Sequence, residues 1–270
     1  MLAQRLITAA IGIPVIVGVI LLGGIVYAIV AGAVLALASL EFCALAAGSD
    51  ESRPLWRPRL PALAAATGIA LIVAGSEAGF DEWSGAIAAA VALTLVVALL
   101  RADPPRDFGS WIAAAAAVAY VGFLGSHFVL LRDLVDGEEW VLLAVLGTWA
   151  TDTFAYGFGR LFGRTKLAPR ISPGKTVEGT AAAVIGGLAS VFVLGQAFDL
   201  PMSTAEALLL CALFPPFAIV GDLAESFVKR GAGVKDTSDL VPGHGGFLDR
   251  LDSLLFTVPL VYYFALYIVD

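Results

Sequence analysis

The chain has 270 residues, 59% of them hydrophobic and 14% charged, with a net charge of -7 and a mean hydropathy of +0.90. A soluble domain carries about a quarter of charged residues, so this composition excludes an ordinary water-facing exterior. The apolar residues come in long runs divided by short polar clusters, the pattern that lipid imposes when it acts as the solvent.

Apolar segments fall at about 6–22, 25–47, 60–75, 83–100, 110–131, 139–158, 177–198, 205–227 and 251–268. A hydrocarbon core of about 30 Å takes roughly 20 helical residues. The third segment is short and suits tilting or local thinning of the bilayer. The first follows Arg5 and contains Pro14. It lacks a small-x-small cleavage site and another apolar run follows at once, so it reads as a retained helix rather than a signal peptide. The expected fold is all-α, a polytopic membrane protein of about nine transmembrane helices. An N-terminal region, 1–140, would hold about five spans. A C-terminal region, 141–270, would hold about four spans and two polar loops.

Lys and Arg in short loops stay cytoplasmic. With nine spans and the N-terminus cytoplasmic, every basic residue except Arg132 falls on that side: Arg5; Arg53, Arg57 and Arg59; Arg101 and Arg106; Arg160, Arg164, Lys166, Arg170 and Lys175; and Lys229, Arg230, Lys235 and Arg250. The C-terminus is then periplasmic or extracellular. The outer loops hold Glu77, Asp81, Glu82, Asp133, Asp136, Glu138, Glu139, Asp199 and Glu206. The expected location is the cell (inner) membrane, with a basic face that suits anionic headgroups or a soluble polyphosphate. Nucleic acid is not an expected partner.

Several isolated residues admit simple readings. Cys43 and Cys211 lie in apolar runs and read as small buried hydrophobes. His127 reads as a packed or interfacial residue, and Trp56 and Trp83 as interfacial anchors. Glu41 lies inside the second segment with no partner nearby in sequence. It is either paired within the bundle or close enough to the cytoplasmic end to snorkel. The 29 glycines and the alanine runs read mainly as sites of close helix packing.

Polar chemistry collects in two loops. The first runs from Trp149 through Asp152, Tyr156, Gly159, Arg160, Gly163 and Lys166 to Ser172, Pro173, Gly174, Lys175, Thr176, Glu178 and Gly179. Its glycines would let backbone N–H groups approach phosphate oxygens and its cations supply charge. The alternative is a basic surface that only sets topology. A Walker A reading of Gly174-Lys175-Thr176 fails, since Pro169 stands where that motif needs glycine and no preceding strand is expected.

The second loop region holds Asp222, Glu225, Ser226, Lys229 and Arg230, then Lys235, Asp236 and Asp239, then His244, Asp249, Arg250 and Asp252. Asp222, Glu225 and Lys229 share a helical face by spacing, and Asp249 with Asp252 would do the same at the start of the last span. A cation between such carboxylates explains them, magnesium rather than zinc given hard oxygen ligands. Interhelical salt bridges to Lys229 or Arg250 are the alternative. His244 is open to a ligand or acid–base role and equally to a loop-shaping hydrogen bond.

Residues 226–252, with Ser226-x-x-Lys229-Arg230, Lys235-Asp236 and His244-Gly-Gly-x-x-Asp249-Arg250-x-Asp252, resemble the signature of the phosphatidate cytidylyltransferases, or CDP-diacylglycerol synthases. The segment around Asp152, Tyr156, Lys166, Ser172, Lys175, Thr176 and Glu178 is similar to the family's other marked stretch. Gly174 stands where the family often has lysine, and Val241 replaces a commoner Leu, Ile or Phe.

The resemblance implies an integral membrane enzyme, magnesium-dependent and homodimeric, that joins CTP and phosphatidate with its active site facing the cytoplasm. Membrane lipid is a further partner, and a second cation such as K+ is a further expectation. Carried over by motif, Asp222 and Asp249 are the metal ligands, and Glu225 and Asp252 are outer-shell or second-cation groups. The catalytic set is Asp222, Asp249, Lys229, Arg250 and His244. The substrate-binding set is Lys166, Ser172, Lys175, Thr176, Glu178, Arg230, Lys235 and Asp152. The rival readings are a CTP-dependent lipid kinase and a polytopic lipid transporter. CDP-alcohol phosphotransferases are disfavoured, because their Asp-Gly-x-x-Ala-Arg run is missing.

Overall fold

The computed structural model describes residues 2–46, 60–78, 80–101, 104–238, 240 and 245–269. Arg53, Trp56, Arg57, Arg59, Asp239, Val241 and His244 lie outside the described residues, and with them the readings given above for those positions. The chain forms two compact units, Met1–Leu130 with Gly231–Leu251, and Leu131–Arg230 with Asp252–Asp270.

The first unit begins with α1 (Leu2–Leu22), α2 (Gly24–Ala46), α3 (Leu60–Ala78), α4 (Phe80–Arg101) and α5 (Pro104–Ala117). A π-helical turn, Val118–Phe123, joins α5 to α6 (Leu124–Arg132). Helices α3 and α4 approach through small residues. A Cβ on Gly68 would stand 2.7 Å from Ala90 Cβ, and one on Gly75 would stand 2.9 Å from both Ala86 Cβ and the Glu82 carbonyl. Dispersion between closely placed backbones replaces the hydrophobic drive that lipid cannot supply. Trp83 corrects its expected interfacial role. It is buried, its indole N–H donates to Ser126 Oγ at 2.9 Å, and its ring stacks on Phe123. An indole inside a bundle needs such a partner for its N–H. His127 is packed, as expected, edge-on to the same two rings.

The second unit holds α7 (Gly137–Phe162), an antiparallel hairpin of β1 (Lys166–Ala168) and β2 (Ser172–Thr176), α8 (Val177–Ala197) and α9 (Thr204–Gly231). Helix α11 (Leu254–Tyr267) completes it, and α10 (Leu248–Leu251) belongs to the first unit. The hairpin corrects the expectation that no strand precedes Gly174. Pro169 presets a turn in which Ile171 N–H donates to the Ala168 carbonyl at 3.1 Å, and the flanking residues pair across it. Gly174, Lys175 and Thr176 therefore end a strand instead of forming a phosphate loop. Helices α7 and α8 close on glycine: Gly186 lies under the Phe154 ring and Gly187 against Thr151 Oγ1.

Each of the nine apolar sequence segments overlaps a helix. Among the described residues, six helical runs are long and apolar enough to cross a membrane: Gly24–Ala46, Glu82–Arg101, Phe108–Arg132, Gly137–Phe162, Val177–Ala197 and Thr204–Gly231. Ala10–Leu22 and Ala62–Ser76 are shorter apolar stretches. Large apolar side chains such as Ile11, Ile29, Leu99 and Ile185 face outward, as they must where the solvent is hydrocarbon. The protein is thus an all-α polytopic membrane protein, with one short hairpin among the described residues.

Candidate active site

Within the second unit the hairpin and the C-terminal end of α9 meet. Lys175 on β2 forms an ion pair with Asp222 on α9, both side chains partly exposed. One turn further on, Lys229 pairs with Glu225, whose side chain is fully buried. The i, i+3 and i+4 spacing brings these groups onto one helical face, as expected. The ion pair formed by Lys229 runs along its own helix rather than between helices. Arg230 donates through Nε to the Ile171 carbonyl at 3.2 Å, which ties the end of α9 to the hairpin turn.

Glycines at the root of the hairpin permit its approach to α7 and α8. A Cβ on Gly179 would lie 2.7 Å from the Ala155 carbonyl and 2.9 Å from Gly159 Cα. Thr176 caps α8, its Oγ1 accepting from Gly179 N–H at 3.1 Å. Glu178 accepts from the N–H groups of Arg164 at 3.0 Å and Thr165 at 3.1 Å, so it clamps the exit of α7 to the start of α8. Asp152 on α7, Arg164 just beyond its end and Lys166 on β1 are exposed, and Ser172 on β2 is half-buried.

Within the first unit, Asp249 is buried on α10. Its Oδ2 accepts from Thr237 N–H at 2.9 Å, Thr237 Oγ1 at 2.8 Å and Gly246 N–H at 2.8 Å. Lys235 and Arg250 are exposed. The expectation that Asp249 and Asp252 share one helical face at the start of the last span is corrected. Helix α10 stops at Leu251, Asp252 and Ser253 form a turn, and α11 begins only at Leu254. The turn is closed by Ser253 N–H donating to Asp252 Oδ1 at 2.6 Å. Asp222 and Asp249 belong to different units.

Sequence reasoning missed Glu41 and Thr237 as partners of this region. Glu41 is fully buried on α2 and accepts from Ser238 Oγ, Phe247 N–H and Leu248 N–H, and its Oε2 lies 3.1 Å from the Thr237 hydroxyl, whose one proton it shares with Asp249. It is therefore paired within the bundle and does not snorkel. A carboxylate inside an apolar segment signals that a partner must exist. Nothing in the local pattern says that the partner lies 196 residues away.

Among the described residues, no group of three His, Cys, Asp or Glu side chains is arranged to hold a metal ion. Magnesium in nucleotide sites is held by one or two carboxylates together with substrate phosphates. Asp222 and Glu225, hard oxygen donors one turn apart on α9, fit that demand, and their lysine partners mark them as seats for positive charge.

The chain is a polytopic membrane protein in which lysines and carboxylates pair on a polar hairpin and its neighbouring helix end. The cytidylyltransferase family model matches residues 3–268, and the chain belongs to that family. It is 37% identical over 206 residues to a phosphatidate cytidylyltransferase of Staphylococcus epidermidis, covering 75% of this chain and 78% of that protein. It is 35% identical over 186 residues to the Bacillus subtilis protein of the same description, covering 68% of each. It is 33% identical over 264 residues to that of Staphylococcus aureus, covering 95% of this chain and 96% of the relative.

Proposed function

We propose that the chain is a phosphatidate cytidylyltransferase. A phosphate oxygen of phosphatidate attacks the α-phosphorus of CTP in line, the bond from that phosphorus to the bridging oxygen breaks, and pyrophosphate leaves with CDP-diacylglycerol as product. The observation that carries this reading is the family match along nearly the whole chain, supported by the Lys175–Asp222 pairing of its two motif regions. No protein nucleophile is needed, because the lipid phosphate already supplies an oxyanion. The residues offset repulsion between two anions and align them.

Lys166, Lys175 and Arg230 are assigned to CTP phosphates and Lys229 and Arg250 to charge on the transferring and leaving groups. Ser172, Thr176, Glu178, Lys235 and Asp152 are assigned to shaping the substrate site. Asp222 and Asp249 are assigned as metal-ligand carboxylates, with Glu225 and Asp252 supporting them, and His244 keeps its proposed acid–base or ligand role. Bound magnesium would neutralise phosphate charge and favour departure of pyrophosphate. A second cation such as K+, a homodimer, nine spans with the N-terminus cytoplasmic and an inner-membrane active site open to the cytoplasm complete the proposal. The exclusion of nearly every basic residue from the outer loops supports the orientation. The catalytic role is assigned mainly to residues 141–270.

The test is product analysis with purified protein, phosphatidate in mixed micelles, magnesium and CTP labelled separately at the α and γ positions. Label from the α position in lipid, with release of pyrophosphate, is the expected result. Label from the γ position would make the chain a lipid kinase, and transfer from neither would restore the transporter reading. Chelation of magnesium should abolish transfer and its return should restore it.

A further inference from the structure

Glu41 stands fully buried on α2, where an apolar side chain would satisfy a membrane bundle at lower cost. Among the described residues four groups converge on it: Ser238 Oγ at 2.6 Å, Phe247 N–H at 3.0 Å and Leu248 N–H at 2.8 Å donate, and the Thr237 hydroxyl stands 3.1 Å away with one proton to share. The Thr237 hydroxyl also lies 2.8 Å from Asp249 Oδ2, and the Thr237 N–H donates to the same oxygen. Gly246 threads between these groups. Its N–H donates to Asp249, and a Cβ there would collide with Thr237 Oγ1 and both Glu41 oxygens. Glu41, Thr237 and Asp249 therefore form one hydrogen-bonded network anchored on α2 through Glu41.

We infer that Glu41 is a positioning residue for the transfer reaction: it fixes the polypeptide around Asp249 and, through Thr237, aims the Asp249 carboxylate. The inference rests on the reaction proposed above. Ser238 binds Glu41 by the shortest of the four contacts but has no bond to Asp249 among those described, whereas Thr237 touches both carboxylates. Positioning thus runs through Thr237, and misplacing a reacting group by about 1 Å costs on the order of 100-fold in rate.

The experiment compares Glu41→Gln, Thr237→Val, Ser238→Ala and the Glu41→Gln/Thr237→Val double variant in the full-length protein, by kcat and KM for CTP and phosphatidate. Amide hydrogen exchange at Phe247 and Leu248 is measured in parallel. Glu41→Gln should lower kcat about 100-fold, leave both KM values within about twofold and speed exchange at those two amides. Ser238→Ala should stay within about threefold of wild type, since its bond does not reach Asp249. In the Thr237→Val background, Glu41→Gln should cost clearly less than alone, because the route is already cut. A wild-type kcat in Glu41→Gln, an equal loss in Ser238→Ala, or full additivity of the double variant would overturn the inference. Absence of transfer by the wild type would instead overturn the reaction itself.

Discussion

The carboxylates of the two units are matched by different kinds of partner. In the first unit, Glu41 and Asp249 receive backbone N–H groups and hydroxyls. In the second, Asp222 and Glu225 receive the ammonium groups of Lys175 and Lys229. A backbone donor is fixed in direction and cannot leave without moving the chain. A lysine on its four-carbon stem can swing to another anion. The first arrangement therefore holds its donors in fixed directions, and the second leaves Lys175 and Lys229 able to turn toward another anion.

The hardest test of this contrast removes the carboxylate charges. Asp222→Asn and Asp249→Asn should each lower transfer by about 10³-fold or more while the proteins remain monodisperse in detergent. Near-normal rates at ordinary magnesium in both would sink the site. Next in size is Lys229→Met, which removes the ammonium paired with the buried Glu225 carboxylate and should cost roughly 3 kcal/mol of stability. Thermal unfolding should show most of that loss recovered in Glu225→Gln/Lys229→Met, and no recovery would mean the pair is not what balances Glu225.

Lys175→Met probes the exchangeable partner on the more exposed Asp222. Its stability should change by less than about 1 kcal/mol, whereas KM for CTP should rise about tenfold. A change in stability alone would assign Lys175 to the fold rather than to phosphate. The smallest effect belongs to Thr176→Ala, which removes the cap of α8 and should cost about 1 kcal/mol. Thr176→Ser, which keeps the accepting oxygen, should unfold close to the wild-type temperature.

Helix existence and much of the site were legible in the sequence because lipid writes long apolar runs and because i, i+3 and i+4 spacing is a local property. Asp222, Glu225 and Lys229 could be placed on one face from residue numbers alone. The short hairpin was missed because Pro169, Pro173 and scattered cations carry no alternating pattern. The π-helical turn at Val118–Phe123 leaves no mark in an alanine-rich segment, where α and π turns use the same residues. Trp83 was misplaced because an indole near a helix end reads the same whether it faces headgroups or a serine on a neighbouring helix.

By itself the sequence determined the membrane class, the helical segments and the family motifs. These depend on composition and on neighbours a few positions apart. The tertiary structure decided which lysine answers which carboxylate, where the last span begins, and that Glu41 belongs to the network around Asp249. Hydrogen bonds to Glu41 span 196 to 207 residues of chain, and such pairings are set only when helices pack.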